Sequence, residues 1–133
     1  MFEWKPSYSV QIGSIDGQHQ NLFRLAAKLH AAMGSGQSNA ILAQLFDSLV
    51  QYTKVHFQQE ERLMQGADYP NFAAHKAEHE ALLRRVHEMQ QQFANGRVAM
   101  STDVLHFLKN WLEKHIMGTD QQYVPYLKAK SVA

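Results

Sequence analysis

Two pairs of side chains, each spaced four residues apart, constrain the fold of this chain more than any other feature. The first pair is His56 and Glu60, and the second pair is His75 and His79. On an α-helix, residues four apart lie one above the other on the same face. Both pairs also lie on apolar stripes of helical period. The sequence therefore predicts two amphipathic helices, each directing two polar side chains towards a shared interior.

The same apolar periodicity covers most of the chain and predicts four helices, at about 17–33, 40–65, 70–94 and 102–118. Asp16 is the expected N-cap of the first helix. Residues 1–15 are interrupted by Pro6 and Gly13, and we expect a non-helical aromatic arm that packs on the bundle. Four amphipathic helices with short loops favour an all-α, up-down-up-down four-helix bundle. We expect one domain over 1–133, ending in a C-terminal turn at 119–133.

Composition excludes several classes of function. The chain has 133 residues and no cysteine, which rules out disulfide frameworks, iron–sulfur clusters and cysteine nucleophiles. A net charge of +1 provides no basic surface for nucleic acid. No apolar run approaches the roughly 18 residues of a membrane span, and the N-terminus lacks a signal-peptide pattern. We therefore expect a cytoplasmic protein without nucleic-acid or membrane partners, in which any metal is held by nitrogen and oxygen.

Two more ligand-type side chains, His19 and His115, lie on the other two predicted helices, and Asp120 follows the end of the last helix. We call the end of the bundle with the first and third interhelical loops its upper end, and the end with the second loop its lower end. In an antiparallel bundle the candidates on all four helices lie about 21–27 Å from the upper end, at 1.5 Å per residue. Unpaired burial of five imidazoles and two carboxylates would cost several kcal/mol. The agreement in height therefore predicts a metal centre inside the bundle.

One spacing in this set is irregular. Asp120 follows His115 by five residues, which places it about 140° away on a regular helix. It can reach the same centre only if the helix opens locally, either through a π-type turn or at its end, and Gly118 would permit this. The remaining histidines differ from the candidates in height or direction, and we expect ordinary structural or solvated roles for them: His30, His87 and His106.

The order and spacing of these residues resemble the hemerythrin family, specifically its single-domain bacterial members, the bacteriohemerythrins. The resemblance covers nearly the whole chain, including the aromatic arm around Trp4 and the segment 15–19. It rests on this pattern: His19, His56-x-x-x-Glu60, His75-x-x-x-His79 and His115-x-x-x-x-Asp120. No ligand position of the family pattern is missing.

The resemblance implies a non-haem di-iron site that cycles between Fe2+ and Fe3+. It implies that three histidines ligate one iron, namely His75, His79 and His115, and that His19 and His56 ligate the other. Glu60 and Asp120 would bridge the two irons together with an oxo or hydroxo group. Dioxygen would bind at the iron with two histidines, in a pocket lined by Leu22, Phe57, Trp111, Leu112 and Ile116.

The expected function is reversible dioxygen binding, for storage or for delivery to an oxygen-consuming enzyme, in a monomer without catalytic residues. The small number of anionic ligands in this set favours oxygen carriage over oxidative chemistry, because anionic ligands stabilise the higher oxidation states of a metal. Histidine and carboxylate also suit zinc, manganese or copper, so iron rests on the resemblance. An oxygen or iron sensor module remains an alternative, although 133 residues leave no room for a second domain. A di-iron enzyme of the peroxidase or nitric-oxide and iron-damage repair type is another.

Overall fold

The protein is described here by a computed structural model, which covers residues 2–95 and 102–130. Four long helices and one short helix account for most of these residues: α1 (Gly13–Gly34), α2 (Asn39–Gly66), α3 (Phe72–Ala94), α4 (Thr102–Lys114) and α5 (Val124–Ala129). The described residues contain no strand. The predicted all-α four-helix bundle is confirmed. The predicted start of the fourth helix at 102 coincides with the first described residue of α4, Thr102.

The main core lies between the four long helices. Each helix contributes large apolar side chains to it, for example Leu22, Phe46, Leu82 and Leu108. Fully burying such a side chain stabilises the fold by roughly 2 kcal/mol. On α2 the buried residues recur every three or four positions along one face: Leu42, Phe46, Leu49, Val50, Thr53, His56, Phe57, Glu60 and Met64. The stripe that forms the core therefore also carries the polar pair into the interior.

The N-terminal arm differs from its prediction in two respects. Pro6–Tyr8 forms a 3-10 helix, and α1 begins at Gly13, one turn earlier than expected. Asp16 is not the N-cap. Its carboxylate accepts hydrogen bonds from Ser9 Oγ at 2.5 Å and from the backbone N–H of Val10 at 2.8 Å. The side chain is therefore engaged in fastening the arm to the first turn of α1.

A second apolar cluster closes the lower end of the bundle. It includes Ile12 from the arm, Met64 from α2, and Tyr69 from the loop that follows. Asp68 in that loop has a left-handed backbone (φ 53), and the N–H of Tyr69 donates to the carbonyl of Met64 at 3.0 Å. This turn delays α3 to Phe72, two residues after the predicted start at 70.

The fourth helix continues through two irregular turns. A π-helical turn, His115–Thr119, follows α4 directly, and a 3-10 helix, Asp120–Tyr123, leads into α5. The local opening that the spacing of His115 and Asp120 predicts is therefore present, and of the two possible forms it is the π turn. Within the described part of the chain, no helix has the length and apolar character to cross a membrane.

Candidate metal centre

Seven ligand-type side chains converge in the lower half of the bundle. Each is at least 96 % buried, although each is polar or ionisable. They come from α1, α2, α3, the π-helical turn and the following 3-10 helix: His19, His56, Glu60, His75, His79, His115 and Asp120. The structure brings together all seven residues named from the sequence. His87 and His106 are exposed on their helices, and no group of potential ligands in the described residues includes them.

Three imidazoles form the first half of the centre. The Nε2 atom of His115 lies 3.1 Å from Nε2 of His75 and 3.0 Å from Nε2 of His79. Asp120 Oδ1 lies 2.9 Å from His75 Nε2 and 3.0 Å from His115 Nε2. Glu60 Oε1 lies 3.2 Å from His79 Nε2. Three nitrogens and two carboxylate oxygens thus surround one small space.

Two imidazoles form the second half. Glu60 Oε2 lies 3.2 Å from Nε2 of His19 and 3.2 Å from Nε2 of His56. Asp120 Oδ2 lies 3.2 Å from His19 Nε2. Each carboxylate therefore presents one oxygen to the three-histidine half and its other oxygen to the two-histidine half. This is the arrangement required of two carboxylates that bridge a pair of cations.

The distances within each half fit a shared ion better than hydrogen bonds. Two ligand atoms at about 2.1 Å from one ion and at right angles lie about 3.0 Å apart. Nε2 of His115 faces two other Nε2 atoms, and a ring nitrogen carries either one proton or one lone pair, so it cannot form a good hydrogen bond with both. Glu60 Oε1 and both carboxylate oxygens of Asp120 have no hydrogen-bond partner among the described residues. The residues present therefore fit two metal ions, each with nitrogen and oxygen ligands.

The electrostatics of the ligand set also favour the binding of cations. Burial lowers the pKa of His19, but hydrogen bonds to Asp120 and Glu60 outweigh burial and raise this pKa to about 10. Burial raises the pKa of Glu60, but the charge of His56 and hydrogen bonds from the imidazoles hold it well below its usual value. Without metal, the ionised carboxylates would thus retain protons on neighbouring histidines. Binding of cations to this centre should release those protons.

Three polar side chains outside the ligand set orient its members: two contact imidazoles, and the third contacts a carboxylate. Gln18 Oε1 lies 2.6 Å from Nδ1 of His56, and Glu61 Oε2 lies 2.9 Å from Nδ1 of His79. Tyr123 donates its hydroxyl to Glu60 Oε2 at 3.0 Å. A partner on the distal nitrogen leaves Nε2 free to ligate a metal. The sequence left the choice of such partners open, because it depends on how neighbouring helices are aligned.

Aromatic rings hold the three-histidine half in place. Phe57 stacks on His79 with ring centroids 3.7 Å apart, and Trp111 stacks on His115 at 4.3 Å. The ring of Tyr123 lies 5.6 Å from that of His75 at an interplanar angle of 19°. Burial raises the pKa of Tyr123 well above its usual value, so its hydroxyl remains a donor. These contacts restrict rotation of the imidazoles.

Replacing Glu61 with glutamine tests the outer hydrogen bonds. The change removes the negative charge that faces Nδ1 of His79, and it should weaken iron binding by about 10- to 100-fold. Competition with a calibrated chelator measures this affinity. Glu80→Gln removes the same charge from an exposed position on α3 and is the matched control. Equal affinities of the two variants would show that Glu61 does not support its histidine.

An apolar cavity lies in the upper half of the bundle. Its volume is about 20 Å³, enough for one small molecule. Its wall consists of Leu22, Phe46, Leu49, Val50, Thr53, Leu82, Val86, Leu108, Trp111 and Leu112. The only hydroxyl in this wall, on Thr53, donates to the carbonyl of Leu49 at 2.7 Å. The cavity therefore offers an apolar environment that suits an apolar diatomic molecule.

The five predicted pocket residues divide into two groups. Leu22, Trp111 and Leu112 line the cavity. Phe57 and Ile116 are buried but do not line it. For Phe57 the reason is its stacking on His79, which places the ring beside the ligands. The other wall residues, on α2, α3 and α4, carry no signal in the sequence beyond the apolar periodicity of their helices.

Comparisons with known proteins agree on one family. The family model described as Hemerythrin HHE cation binding domain matches residues 10–127. A bacteriohemerythrin of Methylococcus capsulatus is 37% identical over 122 residues, which cover 92% of this chain and 92% of that protein. A bacteriohemerythrin of Stenotrophomonas maltophilia is 38% identical, over 95% of this chain and 81% of its own length. A crystal structure of wild-type hemerythrin superimposes with a TM-score of 0.89 at 33% identity, covering 94% of this chain and 96% of that chain.

Proposed function

Because this chain belongs to the hemerythrin family, we propose that it binds dioxygen reversibly at a non-haem di-iron centre, for storage or for delivery to oxygen-requiring enzymes. The observation that carries the proposal is the division of two buried carboxylates between two groups of imidazoles. Each of Glu60 and Asp120 turns one oxygen to each group, at 2.9 to 3.2 Å from the nearest Nε2 atoms. Such a set holds two cations side by side.

The ligand roles follow from the two groups. His75, His79 and His115 would hold one iron, His19 and His56 the other, with Glu60 and Asp120 between them. The second group has one imidazole fewer, which leaves room on its iron for an exchangeable ligand. When bound, the two irons supply the electrons that dioxygen takes up on binding and returns on release.

The chain's own residues make the exchange reversible by limiting protons. The cavity wall near the centre is apolar, and the hydroxyl of Thr53 is occupied within its own helix. Tyr123 contacts Glu60 from the lower cluster and does not line the cavity. An apolar entrance admits dioxygen and disfavours the water and anions that would promote irreversible oxidation. These features support carriage over catalysis.

The most direct test is an optical spectrum of the reduced, iron-loaded protein before and after addition of air, together with iron quantitation. We expect two irons per chain and a visible absorbance band that appears with air and disappears when oxygen is removed. Zinc-loaded protein is the control and should show no such band. A protein that binds fewer than two irons, or whose band cannot be reversed, contradicts the proposal. The recipient enzyme, the monomeric state and the cytoplasmic location stay predictions from the sequence.

Leu112→Ala should shorten the lifetime of the oxygenated protein. Leu112 lines the cavity beside Trp111, and its truncation enlarges the space and lets water approach. We expect autoxidation to accelerate about tenfold, equivalent to about 1.4 kcal/mol in the barrier. The measurement is the decay of the oxygenated absorbance band in air.

The matched control is Leu105→Ala, since Leu105 is fully buried on the same helix but does not line the cavity. Both variants should lose about 2–5 kcal/mol of stability, because both delete a buried side chain. Only Leu112→Ala should change the autoxidation rate. Equal rates in the two variants would show that Leu112 does not guard the oxygen site.

A further inference from the structure

Three of the chain's five tyrosines form a continuous line from the metal centre to the surface. Tyr123 is fully buried and contacts the centre twice, through its hydroxyl on Glu60 and its ring beside His75. The ring of Tyr69 lies 6.4 Å from that of Tyr123 and 5.1 Å from that of Tyr126. Tyr69 is 5 % exposed, whereas Tyr126 is 42 % exposed. The line leaves the bundle at the lower end, away from the apolar cavity.

Core packing alone does not require this line. Phenylalanine would fill the space of each ring, and the described residues place phenylalanines on other parts of the core, such as Phe57 on His79. Tyrosine differs from phenylalanine in that it gives up an electron readily. The rate of electron transfer falls steeply with distance. Several short steps between adjacent rings are therefore faster than one long step from the metal centre to the surface. A line of tyrosines from a metal ligand to solvent is therefore an electron path.

We propose that Tyr123, Tyr69 and Tyr126 form a relay that carries oxidising equivalents from the di-iron centre to the protein surface when the centre reacts with hydrogen peroxide. The inference rests on the proposed function, because the relay begins at the iron site, and it adds a protective activity to that site. It spares the histidine ligands, which would otherwise be the nearest groups to oxidise.

The reaction balances as follows. One hydrogen peroxide takes up two electrons and two protons and becomes two waters. The first electron comes from the Tyr126 phenol of the same chain, which releases its proton to solvent and becomes a neutral tyrosyl radical. The second electron leaves by the same path after a hydrogen-atom donor has restored Tyr126. Tyr123 and Tyr69 lose an electron only transiently, since each is refilled by the next ring outward. Where a thiol is the donor, its two thiyl radicals pair, so one peroxide and two thiols give two waters and one disulfide. Without a thiol, the radical takes a hydrogen atom from Tyr126 of a second chain, the restored Tyr126 supplies the second electron, and the two radicals join by a carbon–carbon bond.

The test treats iron-loaded protein with hydrogen peroxide in the presence of a nitroso spin trap, and maps trapped radicals by mass spectrometry. Dityrosine fluorescence and covalent dimers on a denaturing gel are recorded without the trap. We expect adducts and cross-links at Tyr126. Tyr126→Phe should lose them, and Tyr69→Phe should lose most of them although Tyr126 remains exposed. Tyr69→Phe should also lose iron faster under peroxide, because the ligands are then oxidised.

Tyr52→Phe is the matched control, since Tyr52 is a partly exposed tyrosine on α2 outside the line. It should behave like the parent protein, and zinc-loaded protein should give no adducts. Unchanged adducts in Tyr69→Phe, or adducts mainly at Tyr52 or Trp111, would overturn the relay, because the oxidant would then travel by diffusion or another route. Iron content and the oxygenated band are measured on the same samples. If both are normal and Tyr126 gives no adduct, only the relay fails; if both are absent, the proposed function and the relay fail together.

Discussion

Removal of iron is expected to lower the stability of this protein by about 4 kcal/mol when free iron had stood at a thousandfold its dissociation constant. The reason is that the folded state buries five imidazoles and two carboxylates whose ligand atoms face one another. Without cations, several of these atoms have no hydrogen-bond partner among the described residues. At about 4 °C per kcal/mol for a chain of this size, the melting temperature should fall by roughly 15 °C.

Thermal unfolding followed by circular dichroism, under anaerobic conditions, measures this difference. The sample is compared before chelation, after chelation, and after ferrous iron is restored, so that damage by the chelator is distinguished from loss of metal. Recovery of the original melting temperature is expected in the third state. If the iron-free and iron-loaded proteins melt at the same temperature, the buried cluster is stable without cations, and the coupling of folding to metal binding is wrong.

Much of the architecture was predictable because it follows from local periodicity. The stripe on α2 determines both the helix and the inward direction of His56 and Glu60. A local opening of the last helix was predictable, since a five-residue separation between His115 and Asp120 does not fit one face of a regular helix. The sequence did not decide between the end of the helix and the π-helical turn that is present. Convergence of the seven side chains followed from helix lengths and loop positions. These inferences needed only the rise and rotation of a helix.

The features that the sequence did not predict depend on contacts between elements. From the sequence, Glu61 and Glu78 were both possible partners of a ligand imidazole, and Gln18 carried no such signal. The axial alignment of neighbouring helices decides that Glu61 contacts His79 and that Gln18 contacts His56. Asp16 has a side chain that suits an N-cap, but its carboxylate accepts hydrogen bonds from Ser9 and Val10 of the arm instead. The sequence predicted Tyr123 only as part of the C-terminal turn, whereas in the structure its ring lies beside His75 and its hydroxyl donates to Glu60.

The asymmetry between the two halves of the centre has a consequence for ligand binding. The three-histidine half is enclosed by stacked rings, with Phe57 on His79 and Trp111 on His115. In the two-histidine half, His19 meets His56 edge-on, with ring centroids 4.7 Å apart. A metal ion in the second half would have one imidazole fewer among its protein ligands, so an exchangeable ligand is expected there.

His79→Ala should remove iron from the centre, because it deletes one of three imidazoles from the more enclosed half. The remaining groups of that half, His75, His115 and the two bridging carboxylates, would hold an ion with one open position and a void beside Phe57. Loss of an outer hydrogen bond alone costs about 10- to 100-fold in metal affinity, and loss of a ligand should cost more. We expect fewer than two irons per chain, and an absent or irreversible oxygenated band.

His87→Ala is the matched control for this substitution. His87 lies on the same helix as His79 but is exposed, and its imidazole hydrogen-bonds with Gln91. The control should retain two irons and the reversible band, so a difference between the variants reports the position of the imidazole and not the count of histidines. Circular dichroism confirms that both variants fold. Two irons per chain in folded His79→Ala would remove His79 from the ligand set and with it the three-histidine half as described.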